Sequence, residues 1–159
     1  QGVRQKRNEH EYHVAWRVTF EPGDVRVVAR KNGKVVAEKS LKTAGAPHHI
    51  RLTPNRQVIK ANGRSLSFVT VEVVDKDGNL CPWAENNILF SLTGEAKIAG
   101  VDNGSPFSLE RFQAHERRAF FGKCLVVVQA GKSPSAVRLT AKAVDLAPQT
   151  IEINTVDAR

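Results

Sequence analysis

The sequence has no methionine, one tyrosine and only two cysteines in 159 residues. Two cysteines are too few for a disulfide scaffold. Cys81 and Cys124 allow one bridge across a sandwich or two buried small hydrophobes, and the sequence leaves both open because it does not give the Cα separation a bridge needs. No apolar run approaches the roughly 20 residues that cross a bilayer, so no membrane span is expected. Residues 1–11 are polar and hold no hydrophobic signal region, and the chain begins without methionine, as a processed protein or a piece of a longer one would. A Gly-rich phosphate loop and a Gly-x-Ser-x-Gly elbow are both missing, which removes nucleotide binding through such a loop and α/β-hydrolase chemistry. Helical periodicity is almost absent.

The length suits one ordinary domain or two small ones, enough to bury a core without staples. The apolar fraction of 41% and charged fraction of 25% are those of a soluble globular protein. Valine is abundant, and its branched Cβ suits a pleated strand and crowds a helix. The net charge of +8 is unevenly spread: residues 1–64 hold 14 Lys and Arg against 5 Asp and Glu, and the remainder holds 10 against 11. A basic field draws in polyanions. No aromatics interleave with these charges as single-strand binders require, so the reading is a solvated strand face, or a surface meeting an acidic neighbouring domain, and no nucleic-acid partner.

Period-two alternation recurs throughout. Val14, Trp16, Val18 and Phe20 would share one face of a half-buried strand, with Trp16 directed to a core. Pro22-Gly23 breaks it, residues 25–30 read as the next strand, and Asn32-Gly33 signals a hairpin into residues 35–43. A short strand at 49–53 follows. Further strands are expected at 66–74, 87–92, 94–101, 117–121, 124–130, 137–143 and 150–154. Many short strands with turn signals every 8–12 residues or so indicate an all-β, immunoglobulin-like sandwich. We expect two parts. Residues 1–53 form a polar tail plus the C-terminal part of a β-sandwich domain completed upstream, since about four strands leave an edge needing a partner. Residues 54–159 form a complete immunoglobulin-fold module.

The runs Trp16-Arg17-Val18-Thr19-Phe20-Glu21-Pro22-Gly23, Asn32-Gly33-Lys34-Val35-Val36 and Thr43-Ala44-Gly45-Ala46-Pro47 resemble the end of a small β-domain. That domain follows the catalytic barrel in Bacteroides-type family 2 glycoside hydrolases of the β-galactosidase kind. Phe68-Val69-Thr70-Val71-Glu72-Val73-Val74-Asp75, Asp77-Gly78-Asn79, Pro82, Asn86-Asn87-Ile88, Gly100-Val101-Asp102-Asn103-Gly104 and Arg118-Ala119-Phe120-Phe121-Gly122 resemble the invasin-like module that ends those enzymes. The order and spacing of these motifs, over residues 12–155, carry the resemblance. It implies a non-catalytic accessory region with a structural or docking role; the alternative is a carbohydrate-binding module or a stand-alone immunoglobulin-like adhesion module. The accessory region's partners would be the catalytic barrel and neighbouring β-domain of the parent chain, in a periplasmic or extracellular enzyme acting on β-linked glycans. The barrel and its two catalytic glutamates have no counterpart here.

The residues themselves offer little chemistry, and no catalytic residue, metal ligand or cofactor is assigned. Retaining glycosidases need two carboxyl groups about 5 Å apart on rigid elements. Asn8-Glu9 matches the family's acid/base step only in a polar tail without barrel repeats. Glu72 is expected on a solvent face, and Glu110 and Glu116 have no evident partner. His10 and His13 are three apart, while adjacent His48 and His49 would face opposite ways in a strand and could not easily share a metal. His115, the histidine nearest Cys124 in sequence, does not make it a nucleophile. Asp75-x-Asp77-x-Asn79 opens like a calcium loop, but Asn86 stands where the closing glutamate belongs, so a hairpin turn is the better reading. Trp83, after Pro82 in a loop, is the one residue offered for carbohydrate contact, or for contact with the barrel.

Overall fold

A computed structural model describes Gly2, Arg4 and residues 13–158. It contains eleven strands and no helix among these residues, so no helix is long and apolar enough to cross a membrane. The chain divides into two units between Thr43 and Ala44.

In the first unit β1 (Asp24–Lys31) and β2 (Lys34–Lys42) form an antiparallel hairpin. Asn32 and Gly33 turn it with φ of 51° and 77°, the left-handed pair that a two-residue hairpin needs. Thr43 closes its base: the Thr43 amide donates to Gly23 O at 2.9 Å, and the Gly23 amide donates to Thr43 Oγ1 at 3.0 Å. Val25, Val27, Val35, Val36 and Leu41 are all exposed. Residues 14–20 alternate as read above, yet they form no strand, and Trp16 and Phe20 lie exposed rather than in a core. Alternation supplies a face; a strand also needs backbone partners, and none pairs with this segment among the described residues.

The second unit is the expected sandwich. One layer runs β7 (Ala96–Asp102), β9 (Lys123–Ala130), β5 (Leu66–Val74), β3 (His49–Pro54). The other runs β11 (Leu146–Val156), β10 (Ser135–Ala143), β6 (Asn87–Thr93), β8 (Glu116–Arg118). The core lies between them: Val69, Val71 and Val73 of β5 and Val126 and Val128 of β9 face Ile88 of β6, Leu139 of β10 and Ile153 of β11. Every second residue of β9 is buried, the period of a sheet with one covered face.

The boundary expected near residue 53 falls ten residues earlier. β3 pairs antiparallel with β5 over six residues, so it belongs to the second unit. Pro54 does not end a domain. Its nitrogen faces away from β5, on the side where the Leu52 amide donates to Gln149 Oε1, so the missing hydrogen costs that ladder nothing, and the Asn55 amide beyond it still donates to Phe68 O at 2.9 Å. The chain then crosses to the other layer, where β4 (Val58–Lys60), absent from the sequence reading, runs parallel to β11. Asn55 and Ser67 hold the crossing: the Phe68 amide donates to Asn55 Oδ1 at 2.8 Å, and Ser67 Oγ donates to Arg56 O at 2.7 Å. Cys81 and Cys124 are buried free thiols, with no bridge between them. Burial pushes the Cys124 thiol up to about 12 and also raises that of Cys81, which leaves both protonated and unreactive.

Candidate functional site

The chemistry-bearing side chains of the second unit gather around the loops 75–86 and 103–115 and the turn at 119–122. Asp75 opens the first loop and is buried. Its carboxylate accepts from Asn79 Nδ2 at 3.0 Å and from the amides of Gly45 at 2.8 Å, Asn79 at 2.8 Å and Asp77 at 3.0 Å. The Asn79 side chain, followed by the Gly45 amide, holds this carboxyl well below the usual carboxylate range. N–H donors thus occupy the oxygens a cation would take, so the loop is a turn organised by Asp75.

Glu72 lies on the outer face of β5 with Phe68 and Thr70, as expected, but it is not free there. Arg51 Nε and Nη2 donate to its Oε2 at 2.9 and 2.8 Å, and Lys123 Nζ stands 3.0 Å from its Oε1, a cross-strand triad over β3, β5 and β9. Burial alone would raise its pKa, but the hydrogen bonds from Lys123 and Arg51 outweigh it and lower it. Glu110 and Glu116, expected without partners, have them too. Glu110 accepts from the Arg118 amide and Ser108 Oγ, and Glu116 from Asn87 Nδ2.

These depressed carboxyls fix the sign of the acid response. A folded pKa below the unfolded one means that the stabilisation is complete above about pH 4.5 and is lost as the pH falls through the carboxylate range. The urea midpoint should therefore drop steadily from pH 5 to pH 3. Asp75→Asn should lower it at neutral pH and flatten its acid limb; an unchanged acid limb would show that Asp75 is not the coupled group.

His48 and His49 do not face opposite ways. His48 precedes β3, so strand alternation does not apply, and the two Nδ1 atoms lie 3.1 Å apart in a hydrogen bond. Among the described residues no three His, Cys, Asp or Glu side chains stand together as metal ligands. Asn8, Glu9 and His10 lie outside the described residues.

Trp83 is 86% exposed. Its ring lies 6.5 Å from that of Phe121, tilted by 58°, and the Phe120 and Phe121 rings are 4.5 Å apart. Phe121 takes φ of 49°, a left-handed conformation that a bulky residue adopts only under constraint. The constraint comes from Gly122: its amide donates to Ala84 O at 3.0 Å, and its carbonyl accepts from the Val73 amide at 2.8 Å. This tie sets Phe121 beside the loop of Trp83.

Sequence reading missed Arg117. It sits on β8 yet points inward, 1% exposed. Nη2 donates to Val101 O of β7 at 3.0 Å, so the guanidinium closes the open edge between the layers. Nη1 reaches Ser108 Oγ and Glu110 O, both at 3.3 Å, and Phe112 covers the group with its ring centroid 5.2 Å away. Nothing local to Arg117 in the sequence marks it, because its partners Asp102, Glu110 and Phe112 are brought to it by the fold.

A family model described as Glycoside hydrolase family 2 C-terminal domain 5 matches residues 50–152. The chain belongs to this family. A second model, a domain of unknown function, matches residues 1–37. This family 2 C-terminal chain is similar to a β-galactosidase of Bacteroides ovatus, 53% identical over 154 residues that are 97% of this chain and 18% of that protein. Among solved structures it resembles a glycosyl hydrolase family 2 member from Bacteroides cellulosilyticus, at 36% identity and TM-score 0.82, over 88% of this chain and 18% of that one. A β-glycosidase from Bacteroides vulgatus matches at 32% identity and TM-score 0.85, over 87% and 18%. The family 2 C-terminal chain thus spans less than a fifth of these relatives.

Proposed function

We propose that this chain is the non-catalytic C-terminal accessory region of a β-galactosidase-type family 2 glycoside hydrolase. It has a structural or docking role toward the catalytic barrel and its neighbouring β-domain. The observation that carries this is the 53% identity to a β-galactosidase of which the chain covers only 18%. The geometry agrees: Glu72, Asp75 and Glu110 all serve ion pairs or turns, and none is free to act as one of two carboxyls across a glycosidic bond. The uncovered apolar side chains of the first unit fit a domain completed by upstream strands, because a lone two-stranded hairpin is marginal in water. By the same resemblance we place the parent in the periplasm or outside the cell, which fractionation would test.

The test compares the purified chain with the intact gene product on an aryl β-galactoside. The intact protein should hydrolyse it and the isolated chain should not. Turnover by the chain, or an intact product without hydrolase activity, would sink the reading.

A second reading has one observation in its favour: an almost fully exposed indole braced by Phe121 on constrained backbone. Aromatic faces stack on the apolar faces of sugar rings. If Trp83 contacts glycan, galactoside-containing polysaccharide should retard the chain in affinity electrophoresis and Trp83→Ala should abolish the retardation. Its stability should stay within about 0.5 kcal/mol of the parent, as for surface changes generally. Equal migration of both proteins would exclude this role.

A further inference from the structure

The loop 103–115 joins two facts that belong together. Its apolar side chains point into water: Phe107 is 86% exposed, Leu109 99%, and Phe112 is exposed as well. The loop is nevertheless tightly held. The Asn103 and Gly104 amides donate to Asp102 Oδ1 at 2.7 and 3.2 Å, and the Ser105 amide donates to Asn103 Oδ1 at 3.0 Å. The Phe107 amide donates to Ser105 Oγ, the Glu110 amide to Ser108 Oγ, and the Val101 amide to Phe112 O at 2.7 Å. Beneath it lies Arg117, whose Nε is a buried donor with no partner, a cost of about 1–3 kcal/mol. A solvent loop with no task has no need of a buried guanidinium to fix it. A fixed loop carrying apolar side chains has its ordering entropy removed in advance, the condition for a binding surface.

We infer that the Phe107–Leu109–Phe112 loop is the face by which this domain docks on the catalytic portion of its own polypeptide. This rests on the reading of the chain as an accessory region. Size decides the occupant. Three side chains fall far short of the roughly 1,000 Å² that a free partner or a second copy needs for a stable interface. A tethered partner needs less, because the link supplies an effective concentration near the millimolar range. The relatives provide such a partner: 18% of the B. ovatus protein matches this chain, and the rest of that protein lies outside it. The rim suits a specific seat, with Arg118 between Glu85, 3.8 Å away, and Glu110, which accepts its amide at 3.0 Å.

Hydroxyl-radical footprinting of the intact gene product against the isolated chain tests this, with exposed Phe68 on β5 as the internal reference. Oxidation of Phe107, Leu109 and Phe112 should fall at least fivefold in the intact protein, with Phe68 unchanged. Phe107→Ser with Leu109→Ser should leave the urea midpoint of the isolated chain unaltered and speed protease release of this domain from the intact protein about tenfold. Equal oxidation in both proteins would overturn the inference. So would protection in the isolated chain that grows with its concentration, which would assign the face to a second copy. An intact product without hydrolase activity would instead remove the accessory reading itself, and that assay is run first.

Discussion

Gly122→Ala is expected to cost at least about 4 kcal/mol, the range of exceptional single substitutions. Two causes combine. At φ of 75° a side chain is strained whatever the space, by about 1–2 kcal/mol. A Cβ there would also fall on the Cys81 carbonyl oxygen, and Leu80 Cδ1 and the Cys81 carbonyl carbon would lie 3.1 Å from it. The oxygen is backbone and cannot swing away. The turn must therefore lift from the 81–84 segment, which breaks the Gly122 amide bond to Ala84 O and the Val73 amide bond to Gly122 O. Gly104→Ala is the control: φ is 69°, and nothing lies within 4 Å of its Cβ. It should cost only the conformational part. Urea denaturation of both variants separates clash from conformation, and similar losses in the two would show that the turn yields easily. Most small domains have 5–15 kcal/mol of stability, so Gly122→Ala should leave the second unit near its unfolding limit at 37 °C. The Trp83–Phe121 contact should go with it, seen as a shift in tryptophan emission.

The parts of this fold legible in sequence are those set by local signals. Residues 66–74 read as a strand and form β5 over that span, because Val69, Val71 and Val73 alternate with Phe68, Thr70 and Glu72 and make a face buried on one side only. Asn32-Gly33 read as a hairpin and is one. What escaped depends on partners distant in sequence. Residues 14–20 alternate as well as any strand here, but alternation names a face and no neighbour. β4 has three residues, and its parallel partner β11 begins more than 80 residues later, so no local pattern marks it. The boundary near residue 53 failed for the same reason: β3 is claimed by β5, a partner distant in sequence, and the side chains of Asn55 and Ser67 hold the crossing to the other layer. The candidate site divides the same way. The exposure of Trp83 followed from its place after Pro82 in a loop. The burial of Arg117 did not follow from anything local, since Arg117 and Arg118 are adjacent and only the strand's pleat decides which one enters the core.

Arg117→Ala should cost about 3–5 kcal/mol, the usual result of removing one partner of a buried charged network, with a cavity left where the side chain stood. Val101 O would lose its donor across the open edge, and Glu110 O and Ser108 Oγ would lose theirs in the loop. Asp102 and Glu110, its ion-pair partners at 3.8 and 3.5 Å, are partly solvated and would be left with water. Arg117→Met separates stability from positioning. It keeps an apolar stem in the core, removes the desolvated charge and leaves no orphaned Nε, so it should lose far less than the alanine variant, or nothing. Yet it donates nothing to residues 108 and 110, so the loop should loosen in both variants alike. Urea denaturation reads the first quantity and amide hydrogen exchange over residues 103–112 reads the second. Exchange that speeds up at least tenfold in Arg117→Met, at a near-parental urea midpoint, would make Arg117 a positioning residue for the apolar loop. Exchange unchanged in that variant would mean that the turns of Asp102, Asn103 and Ser105 hold the loop unaided, and that the guanidinium serves only the edge between the two layers.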